Sequence, residues 1–376
     1  MLFTKVNQII SKKYDFIEKL FPPPPSEIFF INLLKMFIRC TVFTTKILEG
    51  MNNMKNRIVF FSGGKSSFAV AEYLKRNHSD DNILLYFTDV LWEDEDLLRF
   101  IYEVSDKLEL PMLIHSKGIT PAELMIEQKF MANSWAGICS RELKMKVSSD
   151  FIRKGIEPKI KKWYNKQFLK SESILIDPIL YFGISFMEAH RAEPIRYNWQ
   201  PYTVEMPLLD NDIDYDFVLK QYNIRTPRLY LKGFHHNNCK GRCIKGGKGH
   251  FKNLMLKDNK TFTELKEQEI IISEYIRYTK QYAIRSKKTE NHLYKDVIEF
   301  IRTGIKSEKI KHLIRMHPYR KKCLVGIDST GEHIKKPYTF MKGLSLAELE
   351  KQPAQCDMFD IGGCGCFSDY DSVTFG

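Results

Sequence analysis

From Arg57 onward, short apolar runs alternate with segments of helical periodicity. Ile58-Val59-Phe60-Phe61 leads directly into Ser62-Gly63-Gly64-Lys65-Ser66-Ser67, and Phe68-Ala69-Val70-Ala71 follows. The pattern predicts a strand, a glycine turn and a helix. Ile83-Leu84-Leu85-Tyr86-Phe87-Thr88 is a continuous apolar run that stops at Asp89, as expected of a strand buried on both faces. Glu93-Asp94-Glu95-Asp96 then opens a helix, since acidic residues suit a helix N-terminus, and Leu97, Leu98, Ile101, Val104 and Leu108 recur at helical spacing. Pro111-Met112-Leu113-Ile114-His115 predicts a third strand. Thr120-Pro121-Ala122-Glu123 supplies a cap, a proline at the first helical position and a glutamate to close a capping box. Strands alternating with helices predict an α/β fold: a Rossmann-like, doubly wound parallel sheet with helices on both faces. A smaller cysteine-containing region follows it.

Further along, residues 174–183 predict another strand interrupted at Pro178, and Ser185-Phe186-Met187-Glu188 reads as a capping box. Residues 264–284 predict a helix, and 285–322 read as basic and peripheral. The expected organisation is an N-terminal appendage over 1–53, a nucleotide-binding α/β domain over 54–235 and a basic, cysteine-containing region over 236–376. In the appendage, Pro22 to Pro25 predict an extended spacer. The apolar stretch 28–48 is interrupted by Lys35, Arg39 and Lys46, which argues against a membrane span. Met51 or Met54 is the expected natural start, a reading that an intact mass retaining residue 1 would refute.

At the first turn, paired glycines let backbone N–H groups close on an anion, and the helix N-terminus adds its positive dipole end. Lys65 and the hydroxyls of Ser62, Ser66 and Ser67 complete a phosphate cradle. It is not a Walker A loop, because the first glycine of that motif would fall on Val59, inside the strand. Asp89 ends the second strand on the same side of the sheet, where ligands of such folds bind.

Composition sharpens the choice of partner. The chain has 376 residues and a formal net charge of +12, which favours a polyanion such as a nucleotide or a nucleic acid. Residues 141–170 concentrate this charge, and Trp163, Tyr164 and Phe168 are interleaved with the cations. Cations among aromatics suit single-stranded nucleic acid, or equally a basic helix whose aromatics turn inward. Eight cysteines without a secretory signal suggest reduced thiols and a cytoplasmic setting. Cys239 and Cys243 form a C-x3-C pair, and Cys364 and Cys366 a C-x-C pair among glycines. Together they are a candidate four-sulfur site for zinc or an iron–sulfur cluster, or else buried structural thiols. Cys139 stands beside Arg141 and Lys144, which would lower its pKa.

Taken in order, Ser62–Ser67, Phe87-Thr88-Asp89, Cys139-Ser140-Arg141-Glu142-Leu143-Lys144, Met187-Glu188-Ala189-His190-Arg191 and Gly233–Cys239 resemble the phosphoadenosine phosphosulfate reductase-like family of bacterial and phage PP-loop proteins. Pro227-Arg228-Leu229-Tyr230 and Gly362–Phe367 extend the likeness to most of residues 54–367. The resemblance implies the adenine nucleotide α-hydrolase-like fold. It also implies an enzyme that holds ATP or a related adenine nucleotide on residues 62–67 and Asp89. That enzyme cleaves the α–β phosphate bond with Mg2+ and adenylates an acceptor, in nucleic-acid modification (tRNA or DNA) or sulfur transfer. Lys65, Asp89, Cys139, Arg141 and Lys144 are then the candidate catalytic residues. Two features differ from relatives of this kind. Ser66 stands where many ATP pyrophosphatases carry an acidic residue, and the Glu-Cys-Gly-Leu-His ending of sulfonucleotide reductases is replaced by Gly-Gly-Cys-Gly-Cys-Phe. A sulfonucleotide reductase and a non-catalytic, nucleotide-sensing nucleic-acid-binding or phage-defence protein remain the alternatives.

Overall fold

The computed structural model describes residues 54–133, 136–286, 293–320 and 338–352. A six-stranded sheet is formed by β1 (Asn56–Phe60), β2 (Asn82–Thr88), β3 (Met112–Ser116), β4 (Ile160–Tyr164), β5 (Ile179–Tyr181) and β6 (Val204–Glu205), in the order β4-β3-β2-β1-β5-β6. All neighbours are parallel except β3 and β4. The fold is therefore α/β and Rossmann-like. Alternation along the strands makes two cores. Val59, Leu85, Phe87, Met112 and Ile114 face α1 (Lys65–Asn77) and α2 (Glu95–Leu108). Ile58, Leu84, Tyr86 and Leu113 face the opposite side, where Phe151 of α4 (Lys146–Lys154) and Ile195 of α5 (Ala192–Asn198) cover them.

The chain lays β2 and β3 on one side of β1, then returns to place β5 and β6 on the other. The order thus reverses between β1 and β5. At such a switch point the loops diverge and leave a crevice at the carboxyl ends of the strands.

Helix starts follow local chemistry. The Asp94 side chain accepts from the Asp96 N–H at 2.8 Å and caps α2. Thr120 and Glu123 close the expected capping box on α3 (Pro121–Gln128). The expected box at Ser185 does not form. Residues Phe186–Arg191 make a 3-10 helix with no side-chain cap.

The basic stretch 141–170 is not one helix. It divides into a π-helix (Ser140–Met145), α4, the antiparallel edge strand β4 and a 3-10 turn (Lys166–Phe168). Lysines on an exposed edge strand discourage pairing with other chains. Much of this charge is matched locally: Lys154 meets Asp150 at 3.1 Å, Lys161 meets Glu157, and Lys166 meets Glu172 at 2.8 Å. Trp163 packs against the sheet core.

A third core is helical. It joins α3 to α8 (Lys248–Lys257), α9 (Asn259–Ser286), α10 (Tyr294–Thr303), α11 (Glu308–Arg320) and α12 (Leu346–Leu349). Two short helices, α6 (Tyr215–Gln221) and α7 (Arg228–Leu231), connect the sheet to it. Val297, Phe300, Ile301, Ile310 and Leu313 are buried there, so the described part of 285–322, expected to be peripheral, adds an inner face to this core while its outer face is exposed. Glu269 of α9 accepts the N–H groups of Phe340 and Leu346, each at 2.8 Å, and fastens 338–352 to this core. Among the described residues, no helix is long and apolar enough to cross a membrane.

Candidate functional site

The crevice between β1 and β5 holds a cavity of about 180 Å³. Its floor is the turn after β1. Gly63 sits at φ +76°, and a Cβ there would come within 2.9 Å of Leu97, so only glycine fits under α2. Ser62, Gly64, Ser66 and Ser67 face the cavity. Gly64 starts α1 with no capping side chain of its own, and Ser66 and Ser67 of the first turn line the cavity. Across the crevice, Gly183 brings the exit of β5 against that turn. A Cβ on Gly183 would lie 2.7 Å from the Ser67 nitrogen and 2.8 Å from the Ser66 carbonyl carbon.

Four polar side chains, of Asp216, Tyr230, Tyr215 and Asn237, reach the turn from distant segments. The Lys65 ammonium meets Asp216 at 2.6 Å and lies 5.0 Å from the centre of the Tyr230 ring. The Lys65 N–H donates to the Tyr230 hydroxyl at 3.2 Å. Tyr215 comes close to Ser66: burial raises the Tyr215 pKa, and the Ser66 hydroxyl pulls it part of the way back. Asn237, 1 % exposed, donates its Nδ2 to the Gly63 carbonyl at 2.9 Å and so fixes the turn from below.

Cations reach the same cavity from two further elements. Lys144, 5 % exposed, comes from the π-helix, and Arg191, paired with Glu188, comes from the 3-10 helix. Lys144 meets the buried Glu93 carboxylate at 3.8 Å. Asp89 terminates β2 but does not line the cavity. Its carboxyl accepts the Leu91 N–H at 2.7 Å, and burial raises its pKa against the opposing pull of that bond and of Lys144. Arg141 also lies off the cavity wall, 3.5 Å from Glu142.

A second, smaller cavity of about 20 Å³ adjoins the first, and Lys144 and Asn238 line both. Cys139, Cys239 and Cys243 all face it, with Arg242 and Lys245. The space suits one water-sized occupant. Cys239 and Lys240 both hold left-handed backbone, at φ 56° and 52°, a costly conformation for non-glycine residues. The Cys239 N–H donates to Glu93, and the same carboxylate faces Lys144.

The sequence pattern paired Cys139 with cations that would lower its pKa, and the structure reverses this. Burial pushes the Cys139 thiol up to about 12, the neighbouring Cys239 adds to the rise, and Lys144 offsets only part of it. Among the described residues, no group of three or more His, Cys, Asp or Glu side chains is placed to hold a metal ion. Cys239 and Cys243 stand in the described structure, and Cys364 and Cys366, the other half of the expected four-sulfur site, lie outside the described residues.

Gly183, Arg191, Asp216, Tyr230 and Asn237 were not singled out as site residues from the sequence. Arg191, Tyr230 and Asn237 stand in the stretches that carry the resemblance, whereas Gly183 and Asp216 have no such signal in the sequence.

The fold and cavity define an α/β protein with a glycine turn, an uncapped helix start and two cationic side chains around a switch-point crevice. Compared with protein-family models and with curated proteins, the chain matches none.

Proposed function

We propose that the chain binds ATP or a related adenine nucleotide, with its phosphates on Ser62–Ser67, and transfers the adenylyl group to an acceptor. One observation carries the reading. The turn's hydroxyls, the uncapped start of α1, Lys144 and Arg191 all open onto one cavity at the reversal of strand order. Dipole, N–H groups and two cations gathered there favour a polyanion.

The chemistry balances simply. A lone pair on the acceptor attacks the α-phosphorus, and a bond forms between phosphorus and the attacking atom. The bond to the bridging oxygen breaks, pyrophosphate leaves with that electron pair, and the acceptor's proton passes to solvent. Charge then accumulates on the leaving pyrophosphate. The N–H groups of Ser66 and Ser67 would stabilise it from fixed backbone positions, and Lys65 would join them once it leaves Asp216. Lys144 and Arg191 would hold the remaining phosphate oxygens. Mg2+, implied by the family resemblance, would neutralise phosphate charge when bound. Ser66 brings no carboxylate to that role.

The sulfonucleotide reductase reading needs a thiolate. With its thiol pushed up to about 12, Cys139 is almost wholly protonated at neutral pH, which favours adenylyl transfer over thiol attack by this residue. The test is ATP binding together with ATP–pyrophosphate exchange. Lys65→Ala should weaken ATP binding about 10- to 100-fold through loss of a charge-assisted contact. Unchanged affinity in folded Lys65→Ala would remove the turn as the phosphate site. Binding without exchange under any acceptor would leave the nucleotide-sensing alternative.

A further inference from the structure

Three of the eight cysteines face one small cavity, and the proposed adenylyl transfer uses none of them. Two of the three come from distant segments. Cys139 precedes the π-helix that carries Lys144, and Cys239 follows the stretch 235–238. Both segments are walls of the larger cavity, through Lys144 on one side and His235 to Asn238 on the other. They are held together at two points. Lys245 lies on Gly137, where an added Cβ would come within 2.2 Å of the Lys245 Cε. Glu93 bridges them, since its carboxylate accepts the Cys239 N–H and faces Lys144 at 3.8 Å. The cysteines themselves are neighbours: burial raises the Cys139 pKa most, and the charge of Cys239 raises it further. Cys239 and Lys240 also hold left-handed backbone at φ 56° and 52°, a strain that persists only where the surroundings enforce it.

We propose that Cys139 and Cys239 are a peroxide-sensitive dithiol, which closes to a disulfide and ties two walls of the larger cavity together in the oxidised chain. The bond forms independently of what that cavity binds, whereas its effect on ATP rests on the nucleotide reading. The small cavity that both cysteines face, about 20 Å³, admits a molecule of water's size, and hydrogen peroxide is one oxygen larger. Burial keeps Cys139 protonated, so Cys239 reacts first. Its sulfur attacks one peroxide oxygen: an S–O bond forms, the O–O bond breaks, and the second oxygen leaves as water with the thiol's proton. The Cys139 sulfur then attacks the sulfenic sulfur. An S–S bond forms, the S–O bond breaks, and the hydroxyl leaves as water with the Cys139 proton. Two electrons pass from the thiols to the peroxide, and a dithiol reductant returns them. Lys144 and Asn238 line both cavities, so drawing Cys139 and Cys239 to bonding distance moves groups that face the larger one.

The test uses the full chain, purified under nitrogen and reduced, then treated with stoichiometric hydrogen peroxide. Intact mass should fall by about 2 Da, two hydrogens, and peptide mapping without reductant should recover residues 139 and 239 in one cross-linked peptide. Cys243→Ser should still form that bond, and Cys139→Ser should abolish it. ATP affinity of the oxidised wild-type chain should fall at least about tenfold, the loss of one charge-assisted contact, and dithiothreitol should restore it. Cys239 joined to Cys243, Cys364 or Cys366 instead, or both thiols still free after peroxide, overturns the dithiol. So does a zinc ion or iron–sulfur cluster in the anaerobic wild-type chain that Cys239→Ser releases. A Cys139–Cys239 bond with unchanged ATP affinity overturns its role at the larger cavity. No ATP bound even by the reduced chain rejects the nucleotide reading, and the disulfide then stands on its mapped peptide alone.

Discussion

Gly183→Ala is the sharpest perturbation of the site. The added Cβ would sit 2.7 Å from the Ser67 nitrogen, 2.8 Å from the Ser66 carbonyl carbon and 3.0 Å from the Ser67 Cα. All three atoms are backbone, so no rotamer relieves the overlap. Restoring ordinary contact at 3.4 Å requires 3.4 − 2.7 = 0.7 Å of separation between the exit of β5 and the first turn of α1. Overpacking of this kind costs about 1–3 kcal/mol. In a chain of this size that lowers Tm by about 1–4 °C. The functional cost is larger, because the displaced atoms belong to the N–H groups that would meet phosphate. Moving them by 0.7 Å takes a hydrogen bond of about 2.9 Å beyond its useful range. Loss of one charge-assisted bond is worth about 1.5–3 kcal/mol, so ATP affinity should fall at least about tenfold. Differential scanning calorimetry and isothermal titration calorimetry read the two effects. Gly155→Ala is the control. It has φ +65° but nothing within 4 Å of the new Cβ, so it should cost stability through backbone strain and leave ATP affinity unchanged. A Gly183→Ala protein with wild-type Tm and wild-type ATP affinity would refute the close approach on which the site is built.

Asp216→Asn should raise ATP affinity by about two- to fivefold at low salt, because it removes an exposed carboxylate that competes for Lys65, and the gain should shrink as salt is added; titration calorimetry at two ionic strengths checks both. Cys139 should resist iodoacetamide at pH 8 in the folded chain and react at the rate of an ordinary thiol once unfolded, as mapped by mass spectrometry, since burial pushes it up to about 12. Glu269 gives a pH signature: burial raises its pKa from 4.5 to about 7 despite two backbone donors, so the native state binds more protons between those values and stability falls as pH rises through them. Glu269→Gln should therefore gain on wild type by up to about 3 kcal/mol between pH 4.5 and 8 in urea titrations, and a pH-independent difference would place the carboxyl in water.

The parts of this fold that depend on neighbours in sequence were legible. The strand run at 83–88 reads as doubly buried, and all seven residues of β2 are buried. The Thr120 box is written in four residues and forms as written. The glycine turn is placed by its own strand and helix. What escaped depends on partners far along the chain. Tyr230 lies 165 residues from Lys65, and Asn237 lies 174 from Gly63. Gly183 is one glycine among 20, and nothing local distinguishes it from a turn residue. The run at 93–96 was legible as a helix start, yet its wider role was not. Asp94 meets Arg228 at 2.6 Å, Asp96 accepts the Arg228 N–H at 2.7 Å, and Glu93 faces Lys144. These acids hold the 228–239 segment over the sheet. Cys139 shows the limit of charge counting. Arg141 and Lys144 are adjacent in sequence, but desolvation outweighs them once the chain folds. The helical core over 294–313 was hidden because its exposed faces are strongly basic, while only five buried side chains mark its inner face.

The arrangement of the turn also says what kind of anion would engage it. In the free protein its donors are not idle. Asp216 holds the Lys65 ammonium, and the Tyr230 hydroxyl holds the Lys65 N–H. A ligand has to replace these partners, and each replacement gains only the difference between two hydrogen bonds. A compact monoanion meets one or two donors and gains little. A polyphosphate spans the turn, so one immobilised molecule can replace both internal partners together and also reach Lys144 and Arg191. The entropy of binding is lost once, while the contacts accumulate. Exposure points the same way: the Asp216 side chain is 60 % exposed, so the displaced carboxylate is rehydrated with little movement. The Lys65 side chain, 17 % exposed, stays where a phosphate would find it. On the proposed function, selection for chain length in the anion would follow from groups that already occupy the site, and ATP would meet that selection better than a sulfate or a single phosphate.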